Sequence, residues 1–585
     1  MNMNTKMSAG MNTETKAKTN RKGHANMDMR MDMKMNMSMK TKLKAILAAV
    51  LALTLLAGCG GAGGGSATSS TAAATEAATT TAAAVNGAET TTEAAAAQTG
   101  IDTSEHVKIM YLVTGDLPTN KTMTDGLPAV NKLLTEKVNA ELDVQWIGWA
   151  DYLSNYNLTI ASQTGEIDLI GTATDWLDAW PNTQKGGFLA LTPEMLQTYA
   201  PKTWVQVPVA NWDLCKYDGE IYLIPEDHYT QWTNHGFMYR GDWAKEAGLA
   251  DGVQNWADLG KYFQYVKDNK PDVIPWDAKP DLSIVTQLTG GWQTSHTKNI
   301  YIEGLGVDLF YGESASDPYT LSKYYLDSDE FVNFAKNQRV WNEAGYWKED
   351  VLNNTSIDTR EEMEAGISGA DQHHSQTFYN GEVVRMDEKQ PGSDLGFFWF
   401  GKEQQNVVSL NITHGAMAVA AQSKNPERAL MVYDLLRNDP EVYRLFNYGI
   451  EGQQYVLAAD GKTMTRPDGY VDDTDGISFN YWWGRNDDLE LLTPNLNVPK
   501  RDALTAQYDA CKINYPYGQV VFNLDPISSE LGNLSNLFQT YMPQIVFGKQ
   551  ADPEAYVAEF RTQLKNAGYE KCLDEVANQL AAVYK

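Results

Sequence analysis

Val107-Lys108-Ile109-Met110-Tyr111-Leu112-Val113 is a mostly apolar run that breaks into the loop Thr114-Gly115-Asp116-Leu117-Pro118-Thr119. Seven residues of this kind, closed by a Gly/Pro loop, read as a strand buried on both faces. After it, Leu127, Val130, Leu133, Leu134, Val138 and Leu142 recur at helical spacing and predict an amphipathic helix. Asp143 to Ile147 reads as a second strand, Tyr152 to Thr164 as a second helix, and Ile167-Asp168-Leu169-Ile170-Gly171 as a third strand. Strand, helix, strand, helix, strand at these lengths is a right-handed α/β unit with a parallel sheet. In open sheets of this type ligands collect at the carboxyl ends of the strands. The loops of interest are therefore 114–119, 148–151 and 172–176, the last reading Thr172-Ala173-Thr174-Asp175-Trp176.

Upstream of the strand the chain has another character. The basic residues Lys40, Lys42 and Lys44 precede an apolar run from Ala45 to Leu56, and Leu56-Ala57-Gly58-Cys59 follows. A basic cluster, about a dozen apolar residues and small residues before a cut describe a secretory signal. The run is shorter than the roughly 20 residues a membrane span needs. Cysteine directly after Leu-Ala-Gly resembles the bacterial lipobox, which implies cleavage before Cys59 and acylation of its thiol, palmitate included. Residues 1–38 are a Met/Asn/Lys-rich stretch outside any fold, and Met39 is an alternative start. From Gly60 to Gly100 the chain is Gly, Ser, Ala, Thr and Glu, too poor in apolar groups to offset its ordering entropy. It reads as a tether with a reach of roughly 35 Å.

The formal net charge is −28, and residues 1–58 carry +7 of it, leaving −35 on the remainder. So acidic a surface argues against nucleic acid and against adhesion to anionic lipid, so membrane contact is expected through the acyl chains alone. Besides Cys59 the chain has Cys215, Cys511 and Cys572, with no metal-ligand spacing. Buried free thiols are expected, with one Cys511–Cys572 disulfide as the alternative. The folded part from residue 101 is too long for one core and predicts two lobes.

Further along, Leu189-Ala190-Leu191-Thr192-Pro193 precedes a hairpin, Lys216-Tyr217-Asp218-Gly219-Glu220-Ile221-Tyr222-Leu223-Ile224-Pro225, with Asp218-Gly219 at its turn. Met238-Tyr239-Arg240-Gly241-Asp242-Trp243-Ala244-Lys245-Glu246-Ala247-Gly248-Leu249 and Trp256-Ala257-Asp258-Leu259 come next. Later stand Met417-Ala418-Val419, Ser423-Lys424-Asn425-Pro426-Glu427-Arg428-Ala429-Leu430, Trp482-Trp483-Gly484-Arg485-Asn486 and Phe522-Asn523-Leu524-Asp525-Pro526-Ile527. In order and spacing these resemble the extracellular solute-binding lipoproteins of carbohydrate ABC importers (family 1-like), and the last third resembles their LipO-type branch. The resemblance covers about residues 105 to 585.

It implies an α/β, two-lobe periplasmic-binding-protein-like fold of type II, with a hinge between the lobes and ligand in the cleft. Residues 101–230, with a return segment of about 410–470, are expected in the first lobe. Residues 231–409, with about 500–585, are expected in the second, and chain crossings near 226–236 and 405–415. It also implies a monomer on the outer face of the bacterial membrane that hands a carbohydrate to ABC permease subunits.

A sugar presents apolar C–H faces and a girdle of hydroxyls, so its site needs aromatic platforms and convergent polar groups. With 16 Trp and 30 Tyr the chain is richer in flat faces than a catalytic α/β enzyme of its size needs. Candidate platforms are Trp149, Trp176, Tyr229, Trp232, Trp292, Trp399, Trp482 and Trp483; Asp116, Asp175, Glu226 and Arg485 are the polar candidates. For each tryptophan the alternative is core packing, and Asp175 is equally placed to cap a helix. Neither a nucleophile elbow, a zinc motif nor a phosphate loop is present, so no catalytic residue, metal or cofactor is assigned. Asp472-Asp473-Thr474-Asp475-Gly476 hints at a calcium loop but lacks its terminal Glu and reads as an acidic turn. His373-His374 reads as a surface or loop pair. A surface-tethered polysaccharide-active enzyme and a binder of peptides or other polar nutrients are the competing readings.

Overall fold

The computed structural model describes residues 101–149, 152–228, 232, 234–354, 359–518 and 520–584. The signal, Cys59, the tether and Tyr229 lie outside the described residues. Among those described, no helix is long and apolar enough to cross a membrane.

The strand Val107–Thr114 is the centre of the first lobe. It pairs in parallel with Ala140–Ile147 along its whole length and with Leu169–Thr172 through Tyr111 and Leu112. Ala416–Val419 then lies antiparallel to Leu169–Thr172, and Ile224–Pro225 closes the five-stranded sheet on its far side. The first helix, Leu127–Val138, buries Val130, Leu134 and Val138 against this sheet, as its spacing predicts. It ends one turn earlier than the run to Leu142 suggests. Asn139 adopts a left-handed conformation (φ 47°), and Leu142 belongs to the next strand. Asn131 holds that junction by donating to the Leu142 carbonyl (2.9 Å) and accepting from its N–H (2.7 Å). Asp218 and Gly219, both at positive φ, form the hairpin turn between Lys216–Tyr217 and Glu220–Ile221.

The second lobe is built around a smaller antiparallel sheet with His235–Tyr239 between Ala370–His374 and Gly396–Trp399. Helices Trp256–Asn269, Leu282–His296, Asp329–Ala344, Ser528–Val546, Pro553–Asn566 and Tyr569–Tyr584 supply most of the rest. His373 and His374 lie in this sheet rather than on the surface, with His374 in register with His235. Successive strand residues face opposite sides of a sheet, which adjacency in sequence does not reveal when a helix is assumed.

The apolar clusters follow the same division. One gathers residues from 109 to 224 and again from 416 to 491; another gathers 237 to 400 and 517 to 580. A third, smaller one joins Trp232 and Trp399 to residues 496–508. The chain thus passes between the two main cores three times, through about 226–234, 409–415 and 492–495. Cys215, Cys511 and Cys572 are free thiols, and Cys511 is half-buried where a buried position is expected. Asp475, in the acidic turn, pairs with Lys121 at 2.8 Å.

Trp483, fully buried, lies flat against the strand Leu169–Thr172 because residue 171 has no side chain. A Cβ there would stand 2.4 Å from the indole. The variant Gly171→Ala should lose about 1–3 kcal/mol of stability through overpacking. Urea unfolding checks this; an unchanged midpoint would mean that the indole moves aside freely.

Candidate functional site

The carboxyl end of Leu169–Thr172 is stitched to the returning chain just before Ala416. Thr174 N donates to Thr413 O (3.1 Å), and Asn411 Nδ2 donates to Thr174 Oγ1 (3.3 Å). Asp175 Oδ2 lies 2.7 Å from His414 Nδ1, and the Trp176 indole N–H donates to His414 O (3.2 Å). Burial disfavours the His414 imidazolium, but the Asp175 charge and hydrogen bond, with Glu226 and Glu303 beyond, outweigh it and raise its pKa. Asp175 is therefore an ion-pair partner rather than a helix cap.

Glu226 enters through its backbone, whose N–H donates to Gly415 O (2.8 Å), and its carboxylate accepts from Arg485 Nε. Both side chains are buried, 5% and 9% exposed, which makes the pair an internal one. Gly415 is required beside it. A Cβ would stand 2.4 Å from both Glu226 Oε2 and Trp482 O. Asp116 is exposed and accepts the Trp149 backbone N–H (3.1 Å), which fixes the loop after the second strand.

Four of the seven candidate tryptophans form one cluster. Ring centroids of Trp149 and Trp482 are 5.8 Å apart, those of Trp149 and Trp176 6.5 Å, and those of Trp176 and Trp483 5.6 Å, each pair stacked, whereas Trp482 meets Trp176 (6.0 Å) and Trp483 (5.8 Å) at a tilt. Tyr152 meets Trp149 edge-on. The cluster spends most of its faces on itself: Trp149, Trp482 and Trp483 are buried, and Trp176 is only half-buried. Trp232 stands on the first crossing against Tyr508 (4.9 Å). Trp292 is packed inside the second lobe, stacked on His296 at 3.9 Å, and Trp399 donates to Gln507 Oε1 (3.3 Å) beside Tyr508. Neither lines the two cavities that meet at the crossing segments. The wall that Gly290-Gly291-Trp292 contributes is made by the glycines, and Gly291 leaves room for the Phe400 ring.

Two cavities meet at Trp232, Ser409 and Leu410. The larger, about 310 Å³, lies between helix Leu282–His296, the strands around Tyr301 and Tyr311, and the crossing segments. The smaller, about 170 Å³, adds Glu226, Asp227 and His414 of the first lobe and Lys512 and Asn514 of the second. The larger volume falls at the lower end of small-molecule pockets, roughly 300 to 1,000 Å³, and the smaller extends it. Polar groups converge on apolar walls: Asn234, Gln287, Asn299, Glu303, Asp308 and Asn406 beside Trp232, Phe400, Val408 and Leu410.

Burial pushes the Glu303 carboxyl up to about 8, with the Asp175 charge adding to the rise and His414 opposing it. Asp308 is raised by burial too, partly offset by the Tyr301 hydroxyl that donates to it. The His235 ring lines the cavity and lies 2.8 Å from Gln372 Nε2; burial and His374 hold its pKa well below the ordinary value, so it is neutral. Of the sequence candidates among the described residues, Trp232 and Glu226 line these cavities, while Asp175 and Trp176 border them through His414. Gln287, Tyr301, Glu303, Asp308 and Tyr515 were not legible as site residues. One signal was present. Thr286, Gly290 and Thr294 repeat at four-residue spacing, a stripe of small residues along one face of helix Leu282–His296. Among the described residues no group of three or more His, Cys, Asp or Glu is placed to hold a metal ion.

The family described as bacterial extracellular solute-binding protein matches residues 120–440, and a domain of unknown function (DUF3502) matches residues 516–585. A carbohydrate ABC transporter substrate-binding protein of Streptococcus pneumoniae serotype 4 is 24% identical over 489 residues, covering 82% of this chain and 91% of that one. The N-glycan transport solute-binding protein NgtS of S. pneumoniae superposes with a TM-score of 0.62 at 21% identity, covering 82% of this chain and 99% of that one. The S. pneumoniae ABC-transporter substrate-binding protein FusA, solved with kestose, gives 0.57 at 14% identity, covering 81% and 99%.

Asp175→Asn should lower the His414 pKa, because the neutral amide cannot stabilise the imidazolium. A histidine raised in the folded state stabilises fully below its unfolded value near 6.5, and the contribution fades as pH rises through the folded value. The stability lost in the variant should thus be larger at pH 5.5 than at pH 8.5. NMR titration of the ring together with denaturation at both pH values tests this; equal losses at the two pH values would contradict the assignment.

Proposed function

Because this chain belongs to the bacterial extracellular solute-binding protein family, we propose that it is a lipid-anchored receptor that captures a carbohydrate outside the cell for an ABC importer. Family membership makes it a binder rather than an enzyme. The observation that carries the sugar reading is the cavity itself. It is bounded by the crossing segments, half apolar, and ringed by amides, hydroxyls and carboxyls able to meet a girdle of sugar hydroxyls. The carbohydrate relative and the neighbours solved with glycans support the same reading.

Capture follows from the two-lobe architecture. Ser409 and Leu410 sit on one crossing and Trp232 on another, so a ligand between Glu226 and His414 on one side and Lys512 and Asn514 on the other touches both lobes. A ligand that makes contacts available only when the lobes approach shifts the population toward closure. The ABC permease recognises that closed form, and the protein works as a monomer. Cys59, after Leu56-Ala57-Gly58, carries the acyl anchor, and residues 60–100 let the body stand off the membrane.

A thermal-shift screen of the full chain against mono-, di- and oligosaccharides and short peptides, with each sample checked for breakdown, tests the binding reading. Ligand at 100 times its Kd should add about 2.7 kcal/mol of stability. A shift with a glycan class and no breakdown is the expected result; stabilisation by peptides alone would remove the sugar. The anchor is checked separately. Labelled palmitate should enter the wild-type chain in its bacterial host and be lost from Cys59→Ala, which should then appear in the medium.

A further inference from the structure

Two carboxyls line the larger cavity, and the cation that bears on Glu303, His414, is already paired with Asp175. Glu303 and Asp308 both line it, and among the described residues no lysine or arginine does. Every cation bordering the smaller cavity is already matched by a carboxylate. Arg485 donates to Glu226, His414 pairs with Asp175, and Lys512, itself nearly half exposed, stands 3.7 Å from Asp509.

We infer that the site selects its glycan by charge, accepting neutral or amine-bearing sugars and rejecting those with carboxylate or sulfate groups, with Glu303 and Asp308 as the selecting residues. The inference rests on the carbohydrate reading above and sharpens it to a substrate class. Its physical basis is a penalty on the wrong ligand. An anionic sugar entering this cavity would give up its hydration beside like charge and find no donor cation in return. A neutral sugar meets no such penalty, and its hydroxyls donate to Asp308. An amine would find the carboxyls of Asp308 and Glu303 as hydrogen-bond acceptors, and as counter-charges where they are ionised.

Glu303 makes the selection depend on pH. The groups bearing on it are Asp175 and His414 from the first lobe, and Tyr301 and Tyr515 from the second; the Tyr515 hydroxyl accepts its backbone N–H at 3.0 Å. With its carboxyl pushed up to about 8, Glu303 is protonated at neutral pH and able to donate a hydrogen bond to a ligand; above that it adds a negative charge to the cavity. Discrimination against acidic sugars should therefore increase with pH.

Calorimetry of the full chain tests this, with cellotriose, mannotriose and kestose as neutral probes, the glucosamine trimer as the amine probe, and trigalacturonate as the acidic probe. The expected result is binding of at least one neutral or amine probe and at least roughly tenfold weaker binding of trigalacturonate, a gap larger at pH 9 than at pH 6. In Glu303→Gln the pH dependence of that gap should fall, the remainder belonging to His414, and in Glu303→Gln/Asp308→Asn the gap should narrow. Trigalacturonate binding as tightly as the neutral trimers would overturn charge selection and leave a carbohydrate receptor standing. A gap that shrinks as pH rises would overturn the part given to Glu303, and needs only the wild-type chain. Binding of short peptides with no sugar bound would remove the carbohydrate reading and this inference with it.

Discussion

The parallel register of Val107–Thr114 between Ala140–Ile147 and Leu169–Thr172 is the constraint from which the site follows. A central strand with both faces covered admits no polar chemistry along its length, so such groups are pushed to its ends. The antiparallel return of Ala416–Val419 beside Leu169–Thr172 then brings Asn411 to Gly415 to the edge occupied by Thr174, Asp175 and Trp176. One sheet edge thereby receives chain from residues some 240 positions apart, and Glu226 joins it through the next strand. Gly171 and Gly415 are the two places where this convergence is so tight that a methyl group has no room.

Patterns that depend on near neighbours were legible in the sequence. The first three strands, the helices between them and the Asp218-Gly219 turn follow from periodicity and turn chemistry, with errors of a few residues where Asn139 ends a helix early. The crowd of aromatic residues was legible as a total but not as individual roles. Whether a tryptophan offers a face to ligand or spends it on another ring depends on partners hundreds of residues away, such as Trp149 against Trp482. Glu303 and Asp308 carried no sequence signal. Both sit in a short connection between Ile300–Tyr301 and Tyr311–Ser314, and what sets them apart is a burial that only the folded chain creates. The His373-His374 pair, which reads as a surface or loop pair, differs for a related reason, since the element that carries it is a strand inside the second lobe's sheet.

The aromatic cluster at the first lobe's edge packs largely against itself and supports the loop beside it. With Trp483 sealed against the sheet and Trp149, Trp176 and Trp482 in mutual contact, it braces the Thr174–Trp176 loop, and that loop holds His414 through Asp175. Rigid support behind a polar group preserves its position when water leaves the site, which is when electrostatic contacts gain strength. The cavity itself then depends less on stacking than the tryptophan content suggests, and more on the carboxyls and amides of the second lobe.

The threefold passage of the chain also sets the order in which the protein can fold as it is made. The first core needs residues up to 224 and then nothing until 416 to 491, which include Tyr433, Phe446 and Trp483. At roughly 5–20 residues per second a ribosome needs tens of seconds to bridge that gap. In the meantime the sheet lacks one central strand, and the hollow beside Gly171 is empty. Such long-range closure is intrinsically slow. A nascent chain of this kind stays unfolded for long enough to be threaded through a narrow export channel, with compaction deferred to the far side.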